Sequence, residues 1–363
     1  MHAAHMIHTD VVVIGAGPVG LFQVFQLGLL GIDAHVVDVL PEAGGQCIAL
    51  YPDKPIYDVP GIPHCTGREL ASLLLKQASP FLGIDTLNQD SPRLHLGHQV
   101  ESVTPRAGIE PGFTLTTHQQ LTFNCKAVMV AAGAGAFVPR TLNLPGLEGA
   151  SNLHYHLDDD LLARLAGQHV VISGGGEEAV GAAIELASMG AAHKAARITL
   201  LHRRDQFQVD ADLAERLNAL IQAGDIEVTV GMPTDCHRAD GVIHSLALLT
   251  PDSTTVDLPL DHLLVRQGMS PKLGPLANWG LPLERKQVPV SSATFESDVP
   301  RIFAVGDINT YPGKKRLLLC GFHEATLAAH AASTILRPDT PQHLLYTTTS
   351  PLLHERLGVK RSS

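Results

Sequence analysis

The sequence predicts an α/β fold built on two glycine-rich βαβ units. In the segment from Val11 to Asp38, a β-branched apolar run breaks at closely spaced glycines, continues as an apolar helix and returns to a second apolar run. The same pattern begins again at Val170. The uncharged stretch from Val11 to Ile32 is long enough to span a membrane, but its glycines and Pro18 favour a buried strand, a turn and a helix. We therefore expect two parallel sheets, each with its own glycine-rich turn.

Length and composition are those of a globular protein with two domains. The chain has 363 residues, of which 45% are hydrophobic and 17% charged. Its net charge of −10 argues against a nucleic-acid-binding surface. The N-terminal residues lack the pattern of a signal peptide, so we expect a cytoplasmic protein that does not enter the membrane.

Cysteine spacing excludes the common metal centres. The 5 cysteines are widely separated and form no CxxC motif. The 20 histidines have no cysteine or carboxylate partner at ligand spacing, so we predict no metal site.

The first βαβ unit carries the turn sequence GAGPVG. Its glycines, Gly15, Gly17 and Gly20, would allow a tight turn, close approach of a pyrophosphate and close packing of helix on strand. Pro18 would begin the helix, whose free amides favour an anion. Asp38 ends the second strand, where an acid accepts hydrogen bonds from ribose hydroxyls. The unit therefore predicts a dinucleotide site.

The second unit differs after its second strand. The turn positions are Gly174, Gly176 and Ala179, but where an NAD site has an acid this chain has His202, Arg203 and Arg204. A guanidinium binds a 2′-phosphate that a carboxylate would repel, which favours NADP(H) over NAD(H). A solvated basic loop is the alternative interpretation.

Two dinucleotide sites in one chain predict a prosthetic FAD that exchanges hydride with NADP(H). We expect two Rossmann-like domains, the second inserted in the first. The FAD-binding domain would comprise residues 1–150 and 285–340, the NADP-binding domain residues 151–284, and a tail or flap residues 341–363. Apolar runs predict strands at 123–130, 262–266 and 301–305, and the periodicity of 324–336 predicts a helix.

Several longer motifs together resemble the bacterial ferredoxin–NADP reductases built on the thioredoxin reductase scaffold. They are GAGPVG, GGQCIALYPDKPIYDVPG, GGGEEAVGAAIEL, HRRDQF and AVGDINTYPGKKRLLLCGFHEATLAAHAA. The resemblance implies transfer of electrons between NADPH and ferredoxin or flavodoxin, and a homodimer. It also implies FAD contacts from Asp38, Gln46, Tyr51, Val100, Phe137 and Asp307, and stacking of Tyr57 on the flavin. Thr348, in the segment at the place of the family's flavin lid, is a candidate hydrogen-bond partner of the flavin. A core tyrosine is the alternative for Tyr57.

The chain departs from its thioredoxin reductase relatives in the segment HYHLDDD, His154 to Asp160, where they have CxxC. Disulfide chemistry at that place is therefore excluded. The family's histidine lid over the flavin is replaced by Thr347 and its neighbours.

The acceptor is not fixed by the cofactor motifs. An NADPH-dependent quinone or diaphorase-type reductase would share them, and so would a non-enzymatic flavin-bearing sensor. If the acceptor is an acidic ferredoxin, the basic run Lys314, Lys315 and Arg316 is the expected docking patch, with a solvated loop as the alternative.

Overall fold

A computed structural model describes residues 6–83, 92–106, 108, 111–190, 193–341 and 343–359. The strands are β1 Met6–His8, β2 Val11–Ile14, β3 Ala34–Val37, β4 Pro55–Ile56, β5 Cys65–Thr66, β6 Leu94–His95, β7 Val100–Arg106, β8 Gly112–Thr117, β9 Thr122–Cys125, β10 Ala127–Val130, β11 Ala136–Pro139, β12 Leu153–His154, β13 His169–Ser173, β14 Arg197–His202, β15 Glu227–Val230, β16 Met232–Ala239, β17 Val242–Leu249, β18 Thr255–Pro259, β19 His262–Val265, β20 Met269–Lys272, β21 Val288–Pro289, β22 Ile302–Ala304 and β23 Asn309–Thr310.

The α-helices are α1 Pro18–Leu29, α2 Gln46–Ala49, α3 Gly67–Leu82, α4 Asp159–Leu165, α5 Glu177–Ala187, α6 Ala211–Ala223, α7 Leu318–Leu336 and α8 Pro351–Arg356. Short 3-10 turns are formed by Gly274–Asn278 and Gly306–Ile308. Among the residues described, no helix combines the length and the apolar character needed to cross a bilayer.

The chain divides into two compact units. Unit 1 comprises residues 1–137 and 271–363, and unit 2 comprises residues 138–270. Both changes of unit come earlier in the chain than the expected positions 150 and 285, because β11 and β20 lie at the two crossings.

Unit 1 is built on a five-stranded parallel sheet in the order β22-β10-β2-β3-β6. The β2 run is buried on both faces, which explains why all four of its residues are apolar. Val11 and Val13 pack in one core with residues of α1, α3 and α7, whereas Val12 and Ile14 pack in a second core with residues of β7, β8 and β9. The latter strands and β1 form a four-stranded sheet in the order β1-β9-β8-β7.

The carboxyl end of α1 is held by residues far away in sequence. Arg337 donates hydrogen bonds to the carbonyls of Leu30 and Gly31, and Arg356 donates to that of Leu29. These cations supply the positive charge that favours a helix carboxyl end, which the last turn of α1 itself lacks.

Unit 2 repeats the arrangement, with a five-stranded parallel sheet in the order β12-β19-β13-β14-β15 and an antiparallel sheet β16-β17-β18. Helices α4, α5 and α6 contribute to a core on one face of its parallel sheet. The predicted α/β class with two Rossmann-like units is confirmed.

One predicted strand was wrong. The apolar run 123–130 is two strands, β9 and β10, in different sheets. The break falls at Lys126, whose backbone N–H donates to the Asp10 carbonyl and whose side chain pairs with the Asp10 carboxylate at 2.9 Å. The predicted helix 324–336 is real, but it begins earlier, at Leu318.

Candidate functional site

A cleft in unit 1 opens at the turn between β2 and α1 and is lined by Gly15, Gly17 and Pro18. Gly15 has φ +112°, a conformation that side chains disfavour. A Cβ at Gly15 would overlap the Ala131 carbonyl, and a Cβ at Gly20 would overlap the carbonyl of Gly15. Gly15 and Gly20 are therefore required, because the turn passes close to the end of β10 and to itself.

The start of α1 suits a negatively charged group. Gly17 is the N-cap and Pro18 the first helical residue, and within the described chain neither a side-chain cap nor an acidic residue occupies the first turn. The first amides of a helix have no partners inside the helix, and its dipole is positive at this end. Helix and cleft lining together form a place where a phosphate group is favoured.

Asp38 lies at the carboxyl end of β3, is 8% exposed and lines the cleft. Its Oδ2 accepts the backbone N–H of Ala16 at 2.5 Å and its Oδ1 accepts that of Leu40 at 2.8 Å. Burial raises the pKa of Asp38, and these backbone donors partly offset the rise. Each carboxylate oxygen has two lone pairs, so acceptor sites remain for ligand hydroxyls.

Other predicted residues share the cleft: Gln46, Tyr51, Val100, Phe137 and Asp307 all line it. Val100 is 4% exposed and Asp307 lies in the 3-10 turn Gly306–Ile308. Burial raises the pKa of Tyr51, so its phenol stays protonated at neutral pH. Nine of the residues predicted to contact FAD therefore line one cleft, although they are far apart along the chain: Gly15, Gly17, Pro18, Asp38, Gln46, Tyr51, Val100, Phe137 and Asp307.

Sequence reasoning missed one wall of the cleft. His98 and Gln99 precede β7, Leu276 lies in the first 3-10 turn, and Trp279 follows that turn. Trp279 is the chain's 1 tryptophan, and its Nε1–H donates to the Glu101 carbonyl at 3.1 Å. A lone tryptophan in a loop rich in glycine and proline was the available signal.

Two predicted residues lie outside the cleft lining. Tyr57 is 68% exposed and its ring lies 5.3 Å from that of His64, beside a neighbouring groove. Thr348 is exposed in the segment before α8. Tyr51 lines both the cleft and the groove, and Phe137 and Trp279 are further aromatic residues of the cleft lining.

The basic run after Asp307 is divided between interior and surface. The Lys314 side chain is only 8% exposed and its Nζ lies 2.5 Å from Glu324 Oε1. Lys315 and Arg316 are exposed. The predicted docking patch was therefore wrong for Lys314, because its charge is already neutralised in the interior of unit 1.

In unit 2, the turn between β13 and α5 follows the same design as the first. Gly174 lies so close to the Arg266 carbonyl that a Cβ would overlap it, and that Cβ would be 2.8 Å from the Ala179 Cβ. Gly176 is the N-cap of α5, and Ala179 is fully buried. The first turn of α5 carries Glu177 and Glu178, and Glu178 lies 3.8 Å from the Arg266 guanidinium.

His202 ends β14 and lies against the glycine turn, since a Cβ on Gly175 would be 2.5 Å from the imidazole Cε1. Burial, reinforced by Arg203 and Arg204, lowers the pKa of His202, so the ring is neutral at pH 7. Both arginines are exposed, and in the described part of the chain neither takes part in an ion pair. Their charges are therefore available to a ligand phosphate.

All 5 cysteines are free thiols, and Cys47, Cys65 and Cys125 are buried. Burial raises the pKa of the Cys47 thiol. No group of three or more metal-ligating side chains was found among the described residues.

Comparison with known proteins identifies the family. Residues 9–333 match the family model of pyridine nucleotide-disulphide oxidoreductases. The chain is 51% identical to a ferredoxin–NADP reductase of Paracidovorax citrulli, covering 99% of this chain and 98% of that protein. This chain belongs to the ferredoxin–NADP reductase family. It is also 47% identical to the ferredoxin–NADP reductase of Methylibium petroleiphilum, with 98% and 93% of the two chains covered.

Solved structures support the fold of this family member. A bacillithiol disulfide reductase from Staphylococcus aureus covers 92% of this chain and 100% of its own, with a TM-score of 0.62 and 16% identity. A thioredoxin reductase from T. acidophilum covers 90% and 98%, with a TM-score of 0.57 and 19% identity. The predicted thioredoxin-reductase-like fold is confirmed.

Proposed function

We propose that this chain is an FAD-dependent oxidoreductase that transfers electrons between NADPH and ferredoxin or flavodoxin. The observation that carries the proposal is the unit 1 cleft, which combines an uncapped helix start with the carboxylates of Asp38 and Asp307. A phosphate-binding end and hydroxyl-binding acids are the features that a flavin dinucleotide requires. The names of the relatives support the same function.

The residues of the cleft fit FAD. Gly15, Gly17 and the α1 amides would hold the pyrophosphate, Asp38 the adenosine ribose and Asp307 the hydroxyls of the ribityl chain. FAD, when bound, accepts a hydride from a reduced nicotinamide and releases electrons singly to a one-electron acceptor. The chain's contribution is to bind and orient the reactants, so none of its side chains has to act as an acid or base.

NADP(H) is proposed to bind unit 2. The amides of α5 and the glycines Gly174 and Gly176 would receive the pyrophosphate, and Arg203 and Arg204 the 2′-phosphate. Because Glu177 and Glu178 add negative charge near the pyrophosphate position, the two arginines are the principal attraction for the nucleotide.

The acceptor is proposed to dock at the groove beside the cleft. Tyr51 and Leu317 line both, so the groove borders the proposed flavin site. It is edged by the exposed apolar residues Tyr57 and Leu317, which are 68% and 50% exposed. Lys315 and Arg316 add positive charge that fits an acidic ferredoxin, although the whole chain carries −10.

We further propose a homodimer, as the resemblance of the sequence implies, and a cytoplasmic location, where the five free thiols stay reduced. Sedimentation of the purified protein at two concentrations tests the dimer.

Anaerobic flavin reduction followed by a panel of acceptors tests the function. We expect released FAD on denaturation, fast reduction by NADPH, slow reduction by NADH, and reoxidation by ferredoxin or flavodoxin. Reoxidation by quinones or dyes alone would favour a diaphorase-type reductase. A flavin that NADPH does not reduce would favour the non-enzymatic sensor.

A further inference from the structure

Glu324 is a fully buried carboxylate in α7 with four hydrogen-bond donors. Its Oε2 accepts the Gly306 N–H at 2.6 Å and the Asn309 side-chain amide at 2.8 Å. Its Oε1 accepts the Tyr311 hydroxyl at 2.9 Å and the Lys314 ammonium at 2.5 Å. These contacts occupy the acceptor sites of the carboxylate, so it has no capacity left for a ligand.

The ion pair holds both backbone polar groups of one residue, Gly306. Glu324 accepts the N–H of Gly306, and the Lys314 ammonium donates to the carbonyl of the same residue at 2.8 Å. Gly306 has φ +78°, and Gln287 donates to the carbonyl of Asp307 at 3.0 Å. The backbone is therefore fixed on both sides of Asp307, whose side chain is not part of this network.

A buried ion pair of this kind contributes little to the stability of the fold. Removing two charges from water opposes most of their mutual attraction, and well-packed apolar residues often replace a buried pair without loss. What the pair supplies is one defined geometry for a left-handed turn that lines the cleft.

We propose that the Lys314–Glu324 pair is a positioning device that orients Asp307 toward the hydroxyls of bound FAD. The inference rests on the proposed function and deepens it, since it assigns to two residues outside the cleft lining a role in cofactor binding. Glu324 and Lys314 act only through the Gly306–Asp307 turn.

The test uses Glu324→Gln and the double variant Glu324→Gln/Lys314→Met in the full chain. The single variant leaves an ammonium buried without its carboxylate, so it lowers stability. The double variant removes both charges and restores folding, but the Gly306 carbonyl still has no donor. We expect faster hydrogen exchange at the Gly306 amide in both variants, measured without flavin, and weaker FAD binding.

A double-mutant cycle separates positioning from general destabilisation. Glu324→Gln should raise the FAD Kd about tenfold in the wild-type background and by less than about twofold in Asp307→Ala, because coupled residues do not add. Ala328→Gly is the matched control: Ala328 is buried in α7, and its change weakens the helix by about 1 kcal/mol without touching the turn. It should lower the melting temperature and leave the FAD Kd unchanged.

Equal effects of Glu324→Gln with and without the Asp307 carboxylate would overturn the inference. So would an FAD Kd that follows melting temperature across all variants, the Ala328 control included. Wild-type protein that takes up no FAD would overturn the proposed function, whereas normal FAD uptake with unchanged exchange at Gly306 would overturn this inference alone.

Discussion

The choice of nucleotide is the sharpest test of unit 2, and it depends on Arg203 and Arg204. Both side chains are exposed, and in the described structure neither forms an ion pair, so replacing them leaves no buried charge behind. The loss on Arg203→Ala/Arg204→Ala is therefore limited to their contacts with the 2′-phosphate. A charge-assisted hydrogen bond contributes about 1.5 to 3 kcal/mol, and solvent exposure places these at about 1 to 1.5 kcal/mol each.

The sum of about 2 to 3 kcal/mol corresponds to a roughly 30- to 150-fold rise in the Kd of NADPH. NADH has no 2′-phosphate, so its Kd should change little. Titration of the purified protein with each nucleotide, at one fixed ionic strength, measures both constants.

Arg197→Ala is the control, because Arg197 is the first residue of β14, the strand that precedes Arg203, and it pairs with Glu227 at 2.5 Å. It should alter neither constant. An equal loss for NADPH and NADH in the double variant would show that the two arginines do not read the 2′-phosphate.

Further predictions concern the cleft, pH and docking. Gly20→Ala would place a Cβ against the carbonyl of Gly15, so the reconstituted variant should contain little flavin. Gly181→Ala is the control, because the space around Gly181 is open, and it should retain its flavin. Equal flavin contents in the two variants would contradict the packing argument. Burial lowers the pKa of His95 to about 4, so its neutral form stabilises the fold above pH 6.5 and this contribution disappears as the pH falls toward 4. After a discount for the partial exposure of His95, the free energy of unfolding should fall by about 1 to 2 kcal/mol over this pH range, which urea unfolding at a series of pH values measures. If the free energy of unfolding of a His95→Gln variant changed with pH as steeply as that of wild type, the assignment to His95 would be refuted. Charge reversal at the exposed Lys315, which does not line the cleft, should slow ferredoxin reduction at low salt and leave NADPH-driven flavin reduction unchanged; a low-salt rate equal to that of wild type would place docking elsewhere.

Local sequence patterns predicted most of the fold. The β-branched run at β2, the shorter run at β3 and the glycines between them predicted a parallel unit, because strands that are buried on both faces are predominantly apolar. The antiparallel sheet β16-β17-β18 was not predicted, since β16 and β18 are largely exposed and β16 has no regular apolar alternation. The split at Lys126 depends on Asp10, a partner that local sequence does not reveal.

Residues of the candidate site could be predicted where the local backbone conformation requires a particular type of residue. Gly15 satisfies a positive φ, and Asp38 ends a strand beside the turn. Lys314 was misjudged because a basic run looks solvated, and its burial depends on Glu324, a residue of the following helix. Tyr57 has an aromatic ring of the expected kind, but its place outside the cleft lining is set by tertiary packing.

The division of unit 1 has a consequence for the order in which the protein is made. β10 pairs with β22, and the carbonyls at the end of α1 accept hydrogen bonds from arginines that lie more than 300 positions later in the chain. Unit 2 is continuous from 138 to 270, so all of its strands are synthesised before those partners. During that interval the apolar faces of β10 and α1 lack part of their cover, and a nascent chain stalled before residue 300 would expose them to chaperones or to aggregation.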